Sequence, residues 1–315
     1  MIAHHDRTAF VGLIYGVLAY LIWGCFPAFF KLFGQVSSFQ IVSHRIVWSL
    51  VFLLCLSLRS GNWSQIRTAL AHPRSRLILL TTSLLIATNW LVFIIAVGHG
   101  HVLQSSLGYF ITPLVSVVLG ILFLKEQLHR LQLAALLLAT IGVLTLTASF
   151  GSFPWTALTL ALTFGSYGLL RKIVDCDSLT GLTVETIVLA PFAAAFLLYA
   201  AWRGEGAFIS GGTEISLLMM SAGVATAVPL LLFAAAARRL KLATIGFLQY
   251  ITPTMHFLLA VIAYNEPFSR AHLVSFIFIW AGLACYSWDA WRTLTSQRLL
   301  RNAQPELKDH DSESI

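Results

Sequence analysis

Ten apolar stretches, each close to the length of a bilayer crossing, follow one another along the chain, and no other feature limits the fold so strongly. They lie near residues 10–33, 39–58, 77–98, 102–124 and 131–149, then near 153–171, 179–201, 214–237, 242–264 and 271–291. Hydrocarbon is about 30 Å thick and a helix rises about 1.5 Å per residue, so a crossing takes roughly 20 apolar residues. In lipid the backbone must satisfy its own hydrogen bonds, which makes unbroken runs of this length helices. The predicted fold class is an all-α membrane protein of ten transmembrane helices. Charge supports this: only 10% of residues are charged, against about 25% in soluble domains, too few to cover a water-facing surface. The first stretch outlasts the roughly 7–15-residue core of a signal peptide and no small-residue cleavage pattern follows it, so it reads as a retained helix.

The formal net charge of +7 does not point to nucleic acid, because no basic run is interleaved with exposed aromatics. The basic residues instead alternate in density from loop to loop. With the N-terminus inside, the cytoplasmic segments carry sixteen of the twenty Lys and Arg, among them Arg59, Arg67, Arg74, Arg76, Arg171, Lys172, Arg238 and Arg239. The opposite loops carry only Lys31, Arg203 and Arg270. A missed helix would scramble this bias, so the positive-inside rule and the count of ten support each other, with both termini cytoplasmic. Cys25, Cys55, Cys176 and Cys285 form no CxxC and read as buried small hydrophobes. No metal or cofactor is expected.

The chain also repeats itself. Tyr109-Phe110-Ile111-Thr112-Pro113 recurs as Gln249-Tyr250-Ile251-Thr252-Pro253 at an offset of 140. In the same register Phe93 meets Phe233, Glu126 meets Glu266, Arg130 meets Arg270 and Gly142 meets Gly282; nearer the start the offset is 141, pairing Gly24 with Gly165 and Lys31 with Lys172. Each half holds five crossings, an odd number, so the second half enters the membrane in the reverse sense. The expected organisation is a cytoplasmic tail over 1–9, a first repeat over 10–150, a second, inverted repeat over 151–292 and a disordered cytoplasmic tail over 293–315. Inverted repeats recur in secondary transporters, where a shared midplane site opens first to one side and then to the other.

An ordered set of short motifs resembles the RarD proteins, of the EamA group in the drug/metabolite transporter superfamily. It includes Trp23-Gly24 with Pro27-Ala28, His44-Arg45 with Trp48-Ser49, Asn89-Trp90 and Ser106 to Ile111. It continues with Tyr167-Gly168-Leu169 before Arg171-Lys172, Glu185-Thr186, Val228-Pro229, Gly246-Phe247 before Gln249-Tyr250-Ile251, and Phe278-Ile279-Trp280. The resemblance spans about residues 10–290. It implies two EamA-type repeats, a bacterial inner membrane and a permease role, with a family name tied to chloramphenicol sensitivity.

Several residues could carry such a function. Arg45 lies about six residues, or about 9 Å, into the second helix, and a charge there requires a polar cavity or a partner. Glu185, aligned with His44, is the candidate proton-carrying carboxylate, with a cavity shared between it and Arg45. His44 points about 100° away from Arg45 around the helix and is a second proton-sensitive group. Trp48, Trp90, Tyr109, Tyr167 and Tyr250 are candidates for an aromatic pocket wall, and Asn89 and Gln249 for its directional hydrogen bonds. Pro113 and Pro253 each free a carbonyl four residues back, at Tyr109 and Gln249, and with Pro27 and Pro229 are candidate helix breaks or gates. The function expected is movement of a small organic solute by alternating access, coupled to an ion gradient, most simply protons. The alternatives are an uncoupled facilitator, or a scaffold or sensor. No Walker A, HExxH or GxSxG motif is present, so no ATPase or other catalytic set is expected. The partners expected are a small solute and lipid, in a monomer or homodimer.

Overall fold

The computed structural model describes residues 2–98, 102–149, 153–259, 262 and 270–312. Glu266 and the last three residues of the predicted tail lie outside that set. Every described element is helical. Helices α1 (Ile2–Gly24) and α2 (Phe26–Lys31) form the first crossing, interrupted at Cys25. There follow α3 (Ser38–Ser60), α4 (Trp63–Ala71), α5 (Pro73–Gly98), α6 (Val102–Leu124) and α7 (Arg130–Ala148). The second half holds α8 (Trp155–Ile173), α9 (Ser178–Trp202), α10 (Ala207–Ser210), α11 (Gly212–Arg239), α12 (Leu242–Gln249), α13 (Ile251–Leu258) and α14 (Arg270–Ser312).

Among the described residues, eight helices are long and apolar enough to cross a membrane. Helix α8 and the α12–α13 pair occupy the places of the other two predicted crossings. The outward faces are those of a protein dissolved in lipid: Leu84, Phe123, Phe192 and Leu198 are each about two-thirds or more exposed. Such a surface in water would oppose solubility, whereas in hydrocarbon it costs nothing.

Helix also forms outside the crossings. The segment over 59–76, read as a loop, contains α4, which buries Ile66 and Ala69 against the bundle and stops at His72 before Pro73. The N-terminal segment is helical from Ile2. Helix α14 runs on past the last crossing to Ser312. A 43-residue helix reaches about 65 Å, twice the hydrocarbon thickness, so its second half stands outside the membrane. Its Leu, Arg, Gln, Ala and Glu are strong helix formers.

The chain forms two compact units, one built from α1–α6 and α8–α13, the other from α7 and α14. In each, contacts occur in pairs related by the sequence repeat. In the smaller unit, a Cβ on Gly142 would sit 2.7 Å from the Ser275 carbonyl oxygen, and one on Gly282 would sit 2.8 Å from the Ala135 carbonyl oxygen. Ser275 is Ala135 plus 140, as Gly282 is Gly142 plus 140. The larger unit repeats this: Gly165 is closed by Val115 and Gly24 by Met255, while Gly16 meets Leu248 and Gly108 meets Ala157. Each of these pairs maps onto its partner pair when the two halves are exchanged. This is the signature of a pseudo-two-fold axis, and it makes the fold one of two inverted helical repeats.

The glycines at these crossings let backbones approach where lipid supplies no hydrophobic drive for association. Gly142→Leu or Gly282→Leu should therefore cost about 1–3 kcal/mol by overpacking. Thermal melting of the purified protein in detergent should show both variants lowered, with Leu144→Met, on the exposed face of α7, unchanged.

Candidate functional site

The larger unit encloses a cavity of about 490 Å³, in the range of small-molecule sites. It reaches the turn between α2 and α3, where Gly34 and Val36 lie at its edge. Its walls are largely aromatic: Trp23, Phe26, Phe30, Trp90, Phe93, Tyr109 and Phe164 all line it. The pseudo-two-fold axis runs through it. Trp23 and Phe164 are repeat mates at the offset of 141 and touch edge to face, ring centroids 5.7 Å apart. Two further contacts exchange under the repeat: Ser116 donates to Gln249 Oε1 at 3.0 Å, and its counterpart is the Tyr109–His256 ring contact at 5.6 Å.

Arg45 enters this cavity from α3. Residues 45 and 49, one turn apart, share the face that crosses α11. There Ser49 Oγ donates to the Gly223 carbonyl at 2.8 Å, and Gly223 has no room for a Cβ against Trp48 and Ser49. The close crossing brings Arg45 Nε to Thr226 Oγ1 at 2.8 Å. The guanidinium lies over three rings, 5.0 Å from Phe30, 5.5 Å from Trp90 and 5.7 Å from Phe26. Asn89 braces the opposite wall, its Nδ2 donating to the Leu160 carbonyl and to Thr163 Oγ1, both at 2.9 Å.

Proline chemistry places free backbone acceptors beside the same space. Pro27 removes the donor for the Trp23 carbonyl, and His256 Nε2 lies 3.2 Å from that oxygen. The first crossing breaks here, at Cys25. Pro253 leaves the Gln249 carbonyl without its helical donor, and α12 gives way to α13 at Tyr250. Its mate Pro113 does not interrupt α6, nor Pro229 α11. So two of the four expected breaks occur. The mates also differ in Thr chemistry. Thr252 Oγ1 donates across to the Tyr20 carbonyl at 3.0 Å, whereas Thr112 Oγ1 turns back to the Gly108 carbonyl of its own helix at 2.7 Å.

Away from the mouth, five rings close the cavity. Tyr20, Trp23, Phe164, Tyr167 and Phe233 contact one another with centroids 5.3–6.3 Å apart. Beyond this layer, Glu185 accepts from Thr82 Oγ1 at 2.6 Å and from the Tyr167 hydroxyl at 3.1 Å. Arg171 Nη1 is 3.6 Å from Glu185 Oε1, and both side chains are almost fully buried. Arg171 threads through the gap left by Gly181, one turn before Glu185, where no Cβ would fit. Glu126 Oε1 and Oε2 accept from the backbone N–H groups of Leu242 and Ala243 at 2.6 and 2.9 Å, capping α12 across the repeat.

Of the expected site residues, Arg45, Asn89, Trp90, Tyr109, Gln249 and Pro27 line the cavity. His44 and Trp48 do not: one turn apart on another face of α3, they lie against Phe208, at 5.0 and 5.9 Å between ring centroids. Tyr167 belongs to the ring layer, and Tyr250 is buried in the packing between helices. Glu185 does not share Arg45's cavity. Arg171, read as a loop residue, reaches back to neutralise it. Tyr20, Thr226, Thr252 and His256 line the cavity without having been singled out.

The model of the EamA-like transporter family matches this chain twice, at residues 10–148 and 153–288. An uncharacterized transporter of Vibrio cholerae is 43% identical over 94% of this chain and 98% of its own. The RarD protein of Escherichia coli K12 is 44% identical over 89% of this chain and 94% of its own. The chloramphenicol-sensitive protein RarD of Pseudomonas aeruginosa is 31% identical over 92% and 98% respectively. A crystal structure with 18% identity superposes with a TM-score of 0.67, covering 90% of this chain and 98% of that one, and shares the fold.

The Arg171–Glu185 pair generates a stability prediction. Removing one partner of a buried ion pair strands the other charge and costs about 3–5 kcal/mol, while removing both is far milder. Arg171→Met alone should lower the detergent melting temperature strongly, and Arg171→Met with Glu185→Gln should recover at least half of the loss.

Proposed function

The chain belongs to the EamA-like transporter family, and on that premise we propose that it is a bacterial inner-membrane permease moving a small organic solute by alternating access. The observation that carries this reading is the cavity's position: it straddles the pseudo-two-fold axis, reaches the α2–α3 turn, and is closed elsewhere by the five rings and the Arg171–Glu185 pair. Halves related by such an axis can exchange conformations, which moves the opening from one end to the other. The density of Arg and Lys at the ends of α3, α8 and α11 supports cytoplasmic termini and a cavity facing outward.

The Thr112–Thr252 difference supplies a candidate switch. Thr252 bridges to the Tyr20 carbonyl in this state. Exchange of the halves would let Thr112 bridge to the carbonyl of Ala161, the mate of Tyr20, and return Thr252 to its own helix.

Glu185 is the candidate coupling group. Protonating it would remove the charge that holds Arg171 and loosen the sealed end. The name of one relative, chloramphenicol-sensitive, brings drug-like aromatic solutes into the set to be tried.

The permease reading is tested with proteoliposomes loaded with a metabolite extract, following by mass spectrometry which solutes leave. Selective, protein-dependent depletion accelerated by a pH gradient is expected. The double variant Arg171→Met with Glu185→Gln, which strands neither charge, should keep solute exchange and lose the gradient dependence. Vesicles that deplete no solute faster than protein-free controls would sink the reading. The switch makes its own prediction. In a background with the four native cysteines replaced, Val42→Cys on the cavity wall reports the open state through a membrane-impermeant thiol reagent. Thr252→Val should lower labelling and Thr112→Val raise it, each through about a fivefold change in the equilibrium constant between the two states, for a hydrogen bond worth about 1 kcal/mol.

A further inference from the structure

The cavity holds one cation and no acid. Among its lining residues Arg45 carries the only permanent charge, with no Asp or Glu in the wall. Only its Nε is taken, by Thr226. Among the described residues, neither terminal nitrogen has a carbonyl or carboxylate acceptor. A membrane-buried guanidinium ordinarily pairs with a carboxylate, because an uncompensated charge at this depth is costly. The chain shows that solution elsewhere, where Arg171 meets Glu185. Arg45 instead lies over Phe26, Phe30 and Trp90. Ring faces hold the cation in place without neutralising it, and they leave its in-plane N–H donors available.

From this we infer that the cavity takes an organic monoanion, a carboxylate on a flat apolar body, with the carboxylate accepting from the terminal nitrogens of Arg45 and the body lying among the rings of Trp23, Trp90, Tyr109 and Phe164. Arg–carboxylate pairing suits the planar fork of donors, and a single uncompensated positive charge selects a single negative one. The aromatic walls and the 490 Å³ volume fit a body the size of one or two rings. This inference rests on the permease reading for its biological meaning, but not for its test.

The test uses three probes with one tail: 3-phenylpropionate, 3-phenylpropionamide and 3-phenylpropylamine, titrated into the full-length protein in nanodiscs by calorimetry. The carboxylate should bind at least about tenfold tighter than the amide, the scale of one charge-assisted pair, and the amine weakest. Arg45→Gln should erase the preference for the acid while leaving the melting temperature and weak amide binding in place; Arg45→Lys should keep part of it. Amide or amine binding as tight as the acid, an unchanged preference in Arg45→Gln, or no binding of the acid at millimolar concentration would each overturn the inference. Flux of the same probes in proteoliposomes separates it from the permease reading. Tight, Arg45-dependent binding of an acid that never crosses would sink transport and leave the site assignment standing. Flux of the amine or amide but not the acid would do the reverse.

Discussion

A helix in hydrocarbon has nowhere to send an unpaired backbone group, so each proline inside a crossing must be answered by something else. Among the described residues, five prolines fall inside crossings past their first residue: Pro27, Pro113, Pro191, Pro229 and Pro253. Three of them free the carbonyl of a cavity-lining residue, at Trp23, Tyr109 and Gln249. The cavity is thus the place where the lipid's demand for self-satisfied backbone is relaxed. The polar groups that line it, Thr112, Gln249, Thr252 and His256, follow from that relaxation. Once these acceptors and donors are gathered in one chamber, a cation such as Arg45 can reside there. On a lipid-facing surface the same guanidinium would have to reach the headgroups.

Much of this was readable before any coordinates. The positions of all ten crossings follow from apolar run length, because hydrocarbon thickness imposes that length directly. Arg45, Asn89, Trp90, Tyr109 and Gln249 were identifiable as polar or amphipathic residues inside runs that should exclude them. His44 and Trp48 were misassigned for want of helical phase. They are one residue before and three after Arg45, and only the α3–α11 crossing at Gly223 shows which face looks into the cavity. Arg171 was misread because a basic doublet at the end of an apolar run is ordinarily an interfacial anchor. The readable clue was Gly181, one turn before Glu185, which leaves room for a long side chain. His256, an ionisable residue inside an apolar run, met the same criterion as Arg45 and could have been found by it.

The duplicated frame and the diverged chemistry serve different ends. Glycine contacts recur in both halves, and under alternating access two equivalent backbones could exchange roles only if their crossings remained equally close. The side chains on the axis are not held to that rule. Tyr109 faces His256 where Gln249 faces Ser116, and Thr186 stands where the first half has Arg45. A symmetric chamber would present two cations or none. On the alternating-access reading proposed above, the departure from symmetry would give a solute a defined orientation while leaving the frame able to invert.

Placing the two intramembrane arginines in separate compartments also separates what they control. Arg171 is neutralised by Glu185, and neither residue lines the cavity. Arg45 has no such partner, so closing an empty cavity would bury a bare guanidinium, while closing one that holds an anion would bury a neutral pair. The desolvation penalty for a lone charge exceeds that for a hydrogen-bonded pair by several kcal/mol, so a carrier of this design inverts faster loaded than empty. If the solute is an anion, fast exchange and slow net flux follow from Arg45 alone. A proton arriving at Glu185 would then act on the opposite end of the bundle, on the barrier that loading does not reach.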